Sequence, residues 1–169
     1  MIFDKQNEFA DAVSVAQAAG TYNLGNQIDL TDLRDVGAGR PLWLIINVAT
    51  AIVTGAAAGT LRFRVVSDDT ASISTTTCSV HLQSPDFVTD DDPTIPVGTQ
   101  LFCAALPLCQ EFVSKSVAGV FVTTGAGAPY ERFLGVQFIV GTTTITAGAV
   151  NAFLSLDPHG LKQYPDAIN

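Results

Sequence analysis

Charge is what this sequence has least of. Only 14% of its 169 residues are Asp, Glu, Lys or Arg, against about one quarter in an ordinary soluble domain. Basic residues are scarcer still: 8 Lys and Arg stand against 16 Asp and Glu, a formal charge of −8. Neutralising a phosphate backbone takes Lys and Arg, so DNA and RNA are not expected as direct partners. Histidine occurs only as His81 and His159, so a nucleophile–His–acid triad would have to use one of them. No Gly-x-Ser-x-Gly elbow is present. The three cysteines, Cys78, Cys103 and Cys109, form no Cys-x-x-Cys pair. Their odd number argues against a disulfide framework and against a zinc site, and Cys103, inside an apolar run, reads as a buried thiol. No apolar run reaches the roughly 18 residues that span a bilayer. The start, Met-Ile-Phe-Asp-Lys-Gln-Asn-Glu, lacks the basic-then-apolar order of a secretory signal. These absences set an expectation of a protein made in a cytoplasm, with no membrane partner, no metal, no cofactor and no catalytic set.

Apolar residues are plentiful, at 47%, and the length suits one domain with a sizeable core. A chain this apolar and this poor in charge either exposes apolar surface or covers it with partners, and large exposed patches usually mark interaction sites. The acids are also unevenly spread. Between Arg64 and Lys115 there is no basic residue, while Asp68, Asp69, Asp86, Asp90, Asp91, Asp92 and Glu111 all fall there. Solvated loops explain this run, and so does a contact with a basic protein surface. The spacing of a calcium-binding loop is absent.

Period-2 alternation predicts the fold. In Tyr130–Val140, residues Arg132, Leu134, Val136, Phe138 and Val140 share one face, while Phe133 and Ile139 lie on the other beside Gly135 and Gln137. Apolar residues on both faces predict a central strand. Ala149–Leu156 is a second apolar run, and Gly141–Thr144 between them predicts a hairpin that forms the core pair of the sheet. Further strands are predicted over Thr21–Leu30 (interrupted at Gly25), Leu42–Thr50, Thr60–Asp69, Cys78–Ser84, Gln100–Leu106, Cys109–Val113 and Ser116–Thr123. Along Thr60–Asp69, Leu61, Phe63 and Val65 face one way and Arg62, Arg64 and Val66 the other, so half of this strand is wet or meets a charged partner. Ser84–Gly98, with Pro85, Pro93 and Pro96, reads as a long loop. No stretch beyond Gly20 has a helical period. The expected fold is all-β: an antiparallel β-sandwich of about eight strands, best matched by a jelly roll. Residues 1–20 read as an N-terminal arm, 21–156 as the sandwich and 157–169 as a C-terminal tail.

Other chemistry is weakly signalled. Gly37-Ala38-Gly39 and Gly125-Ala126-Gly127 do not continue as phosphate-binding loops and read as turns. Asp68-Asp69 and Asp90-Asp91-Asp92 could pair as acids for sugar hydrolysis, but adjacent carboxylates on a strand point to opposite faces. Trp43, Tyr22, Tyr130 and Tyr164 could line a sugar-binding face. Trp43 lies in an apolar run and reads as core, whereas Tyr164, in a proline-flanked tail, reads as an interface anchor.

Several blocks taken together carry a resemblance. Met-Ile-Phe-Asp-Lys-Gln opens the chain, followed by Ile28-Asp29-Leu30, Arg34-Asp35-Val36-Gly37-Ala38-Gly39 and Pro41-Leu42. Then come Ser84-Pro85-Asp86-Phe87, Glu131-Arg132-Phe133-Leu134-Gly135-Val136, Ala152-Phe153-Leu154-Ser155-Leu156-Asp157-Pro158 and Tyr164-Pro165-Asp166-Ala167-Ile168. In this order, over nearly the whole chain, they resemble the capsid cement (head decoration) proteins of tailed bacteriophages. Arg40 departs from that pattern, which has an acid before the Pro-Leu pair, and so bears on a local charge contact. The resemblance implies a jelly-roll-like sandwich on the outer surface of a virion head. It implies that the chain clamps neighbouring copies of the major capsid protein and has no enzymatic activity. Such proteins associate with themselves; a homodimer is expected before a homotrimer. Candidate interface residues are Ile2, Phe3 and Phe9 at the start, Arg62 and Arg64 on the outward strand face, and Leu161, Tyr164, Pro165 and Ile168 in the tail. The competing expectation is a carbohydrate- or receptor-binding jelly-roll module of a phage particle.

Overall fold

Strands in this molecule begin where alternation begins and stop at Gly, Pro or Thr-rich corners. The computed structural model describes residues 7–31, 41–55, 57–89, 94–107, 113–114, 122–123 and 130–158. In chain order the strands are β1 (Glu8–Ser14), β2 (Gly20–Asn23), β3 (Ile28–Asp29), β4 (Trp43–Thr54), β5 (Gly59–Asp68) and β6 (Ser79–Gln83). They continue as β7 (Phe87–Thr89), β8 (Gln100–Ala105), β9 (Val113–Ser114), β10 (Val122–Thr123), β11 (Phe133–Gly141) and β12 (Ile145–Ser155). Every pairing between them is antiparallel. One sheet has the order β1-β12-β4-β8. The other has β2-β11-β5-β6, with β3 added to β11 and β7 to β5; β9 and β10 pair with each other.

The two larger sheets face each other across one core. Leu44, Ile46 and Val48 of β4, with Val150, Ala152 and Leu154 of β12, meet Leu61, Phe63 and Val65 of β5 and Leu134, Val136, Phe138 and Val140 of β11. All are buried, and each Val, Leu, Ile or Phe among them contributes about 1.5–3 kcal/mol through removal from water. This is the all-β antiparallel sandwich that the alternation predicts. Among the described residues no helix is long and apolar enough to cross a membrane.

The expected late hairpin does not form. β11 lies between β2 and β5, and β12 between β1 and β4, so residues 142–144 carry the chain from one sheet to the other. Thr142 turns this corner at φ 61°. The physical reason lies in the pattern itself: a strand apolar on both faces belongs in the middle of a sheet. Placing one such strand in each sheet lets both turn an apolar face to the common core.

Two other expectations change. Ser84–Gly98 is not wholly irregular, because β7 pairs with β5 and Ile95 bridges to Ile52. Of the expected N-terminal arm, 1–20, residues 8–14 form β1, an edge strand of the sandwich. Its Phe9 is 1% exposed and sits in the core. Phe9 is therefore corrected from interface anchor to core residue; an aromatic near a chain end has no local pattern that separates the two roles. Predicted strand Thr21–Leu30 divides into β2 and β3 around Gly25, as its glycine indicates.

Candidate interaction site and its polar framework

The outward face of the β2-β11-β5-β6 sheet carries the two arginines singled out in the sequence, and they do different things. Arg62 reaches across the surface to Asp86, just before β7. Its Nε and a terminal nitrogen each donate to one carboxylate oxygen at 2.6 Å. The paired guanidinium holds the Asp86 carboxyl below the usual range, and that carboxylate raises Arg62 in turn. Both ends stay partly exposed, so the pair is open to a further partner.

Arg64, half-buried on the same outward face, is engaged within the molecule. Its Nε donates to Gln137 Oε1 at 2.9 Å, and a terminal nitrogen donates to the Thr75 carbonyl. Gln137 projects from the outward side of β11, opposite Arg64 in the ladder, yet it has no exposed surface. What covers it is the β5–β6 connection, residues 69–78, which folds back over the sheet. Gln137 Nε2 donates to Asn23 Oδ1 at 2.7 Å and to the Ser74 carbonyl at 3.1 Å, and the Cys78 thiol donates to Gln137 Oε1 at 3.6 Å. Asn23 Nδ2 donates to the Ile73 carbonyl. Each polar atom of the buried amide thus has a partner, which is the condition for burying an amide without a large penalty.

Two side chains fasten the flap. Ile73 lies buried over Gly135; a Cβ there would come within 2.4 Å of Ile73 Cδ1, so the glycine makes the seat. Asp68 accepts the Ser74 N–H at 2.9 Å, and also the N–H and hydroxyl of Thr70. These donors, Ser74 first, hold its carboxyl below the ordinary value. The Cys78 thiol is pushed up by burial, so it remains a neutral donor here.

At the end of the sandwich near the start of β11, a second cluster ties sheet to sheet. Ser67 Oγ lies 2.7 Å from His81 Nε2 and accepts the Glu131 N–H at 3.0 Å, while Ser79 donates to the Glu131 carboxylate at 2.9 Å. His81 packs on Tyr130, ring centroids 4.3 Å apart, and the Tyr130 hydroxyl donates to the Pro107 carbonyl beyond β8. A serine–histidine pair invites a catalytic reading, but Ser67 is 0% exposed, leaving its hydroxyl no face for a substrate. On the neighbouring edge Arg132 makes a bidentate pair with Asp29, at 3.1 and 2.9 Å, and its guanidinium lies over the Phe133 ring.

The remaining candidates separate cleanly. Tyr22 stacks on Phe138 and donates to the Ala18 carbonyl, Tyr130 is used as described, and Trp43 is half-buried on β4. Tyr22 and Tyr130 are thus both committed within the molecule, one against the core and one against His81. Cys103, expected to be buried, is half-buried on β8. Among the described residues no group of three His, Cys, Asp or Glu is placed to hold a metal ion. Ile2, Phe3, Leu161, Tyr164, Pro165 and Ile168 lie outside the described residues. So do Asp90–Asp92, Cys109, His159 and both Gly-Ala-Gly runs, which were expected to be turns.

Sequence reasoning missed Gln137, Asn23 and Ile73 as a unit. The one available signal was a glutamine in the middle of an otherwise apolar central strand, two residues after a glycine. Against protein-family models and against the curated proteins, the sequence finds no match.

Proposed function

We propose that this chain is a capsid cement protein of a tailed bacteriophage. It binds the outer surface of the head and clamps neighbouring major capsid subunits, and it performs no chemistry. The observation that carries the reading is where the resemblance blocks sit in the fold. Ile28-Asp29-Leu30 and Arg132-Phe133-Leu134 are distant in sequence, yet they pair as β3 and β11 and are joined by the Asp29–Arg132 ion pair. Ser84-Pro85-Asp86-Phe87 supplies the partner of Arg62. Ala152–Ser155 lies in β12, between β1 and β4. The blocks that fall among the described residues thus help to build one plate of strands and its ion pairs.

A plate suits the task. A shell filled with packed DNA is pushed outward, and a clamp must resist being deformed as subunits separate. If each copy covers a standard interface of about 1,600 Å², many modest contacts act in parallel over the shell. Low charge suits close packing against a protein surface, since charged residues are depleted at the cores of interfaces. The exposed ends of the Arg62–Asp86 pair are the described contacts offered to the shell; Ile2, Phe3, Leu161, Tyr164, Pro165 and Ile168 are the proposed anchors from the chain ends.

The test is to add purified protein to heads that lack it and sediment the mixture. Saturable binding at a fixed ratio to the coat subunit is expected, with heads that then resist heat better. Failure to bind heads, together with a melting shift on adding sugars, would instead support a carbohydrate- or receptor-binding module.

A further inference from the structure

Three polar side chains form one row across the outward face of the β2-β11-β5-β6 sheet. Gln137 of β11 lies opposite Asn23 of β2 on one side and Arg64 of β5 on the other. Each directs a side-chain N–H at the backbone of the flap. Asn23 Nδ2 donates to the Ile73 carbonyl at 2.9 Å, Gln137 Nε2 to the Ser74 carbonyl at 3.1 Å, and an Arg64 terminal nitrogen to the Thr75 carbonyl at 2.9 Å. Three neighbouring strands thus bind three consecutive carbonyls, one each.

The flap itself gives little side chain to this contact. Ile73 is its one buried residue, seated over Gly135 with Val66 alongside, while Thr70, Ala71, Ser72, Thr75, Thr76 and Thr77 are exposed. A sheet face that needed only a cover would be served by aliphatic side chains, because every donor of a covered polar row has to find a partner. Glycine in mid-strand also weakens a strand, and it marks a place where another group approaches closely. Fixed donors for main-chain carbonyls, beside one hole for a side chain, are the parts that recognise a peptide by its backbone. We propose that the row Asn23–Gln137–Arg64, with the seat over Gly135, is a peptide-binding site, occupied in this structure by the protein's own flap.

The ligand class follows from the segment already seated there. It is a projecting loop of a partner protein, with one aliphatic side chain for the seat, small neutral residues after it, and three consecutive carbonyls turned to the row. Residues 70–77 of the flap meet that description and carry no charge. The flap holds the site from within, at an effective concentration on the order of millimolar. A competing loop therefore displaces it only when presented at a comparable local concentration, as on an ordered protein surface. This inference stands apart from the cement reading: it assigns a ligand class to one face, and its test uses no heads.

The probe is a synthetic peptide of residues 70–77, Thr-Ala-Ser-Ile-Ser-Thr-Thr-Thr, closed into a ring through an added Gly-Gly so that its bend is kept. It is titrated into the full chain, and the side-chain amide NMR signals of Asn23 and Gln137 are followed. Millimolar ring should shift both signals in the parent protein. Ile73→Gly empties the seat, and this variant should bind the ring about tenfold more tightly than the parent, because the flap competes less well. The same ring carrying Ile73→Asp should bind about tenfold more weakly or not at all, since it would bring a charge into an apolar seat. Thermal melts check folding. Replacing residues 69–77 by an Asn-Gly turn clears the site in a second way, and the titration of the parent needs no variant. Signals that stay unmoved, a ring that binds no tighter once the seat is emptied, or equal binding of the Ile73→Asp ring overturns the proposal. That outcome removes this inference alone, and failure to decorate heads removes the cement reading alone.

Discussion

Gln137 links the flap to the sheet from a fully buried position. One fully buried amide joins Arg64, Asn23, Ser74 and Cys78, and through them fixes the flap on the sheet. Gln137→Leu keeps the bulk but takes a partner from half-buried Arg64, Ser74 and Cys78 and from Asn23. It should cost about 1–3 kcal/mol, read from urea unfolding with an unchanged m-value. Asp68 makes the flap sensitive to acid. Its folded-state pKa is lowered, so its contribution is fully present above the unfolded carboxylate value of about 3.9 and is lost as pH falls through the lower folded value. Melting temperatures of the parent and of Asp68→Asn should therefore differ at neutral pH and converge below about pH 4. A gap that persists in acid would mean that the carboxylate's charge is not what latches the loop. The sequence signals little of this. Arg64 reads as outward because strand alternation places it there, and alternation does not show a loop returning to cover that face.

Elements were more legible than their partners. β5 and β11 follow from alternation and β4 from its continuous apolar run, though β4 continues to Thr54, into what reads as a connector, and Gly25 marks the break between β2 and β3. Which sheet a strand joins is not a local property, so residues 141–144 read equally well as a hairpin turn or a corner between sheets. β1 shows the same limit from the other side. Phe9 is in the core, so Phe9→Ala should cost about 3–5 kcal/mol in equilibrium unfolding; a surface anchor would lose little stability and only weaken binding. Gly25 is the companion test. It sits at φ 61°, and a Cβ there would lie 2.1 Å from the Phe9 carbonyl oxygen, which accepts the Asn26 N–H. Backbone cannot yield as a side-chain tip can. Gly25→Ala should thus destabilise by about 2 kcal/mol or more and speed amide exchange in β1 before it does so in β11.

The whole molecule combines a well-tied interior with a surface short of charge, and it is the tying that suits a clamp. The blocks among the described residues lie in the strands or in the ion pairs beside them, while the proposed anchors other than the Arg62–Asp86 pair belong to the two ends of the sequence. Removing Leu161–Asn169 should therefore weaken attachment to heads while leaving the melting temperature within a few degrees of the parent. Equal decoration by the shortened chain would move the anchors elsewhere. The most direct measurement is the number of copies carried by purified heads. Quantitative mass spectrometry of gradient-purified particles should find this chain at a constant ratio to the major capsid subunit, retained through washing. Its absence from such particles, or a ratio that drifts from one preparation to the next, would contradict the cement role.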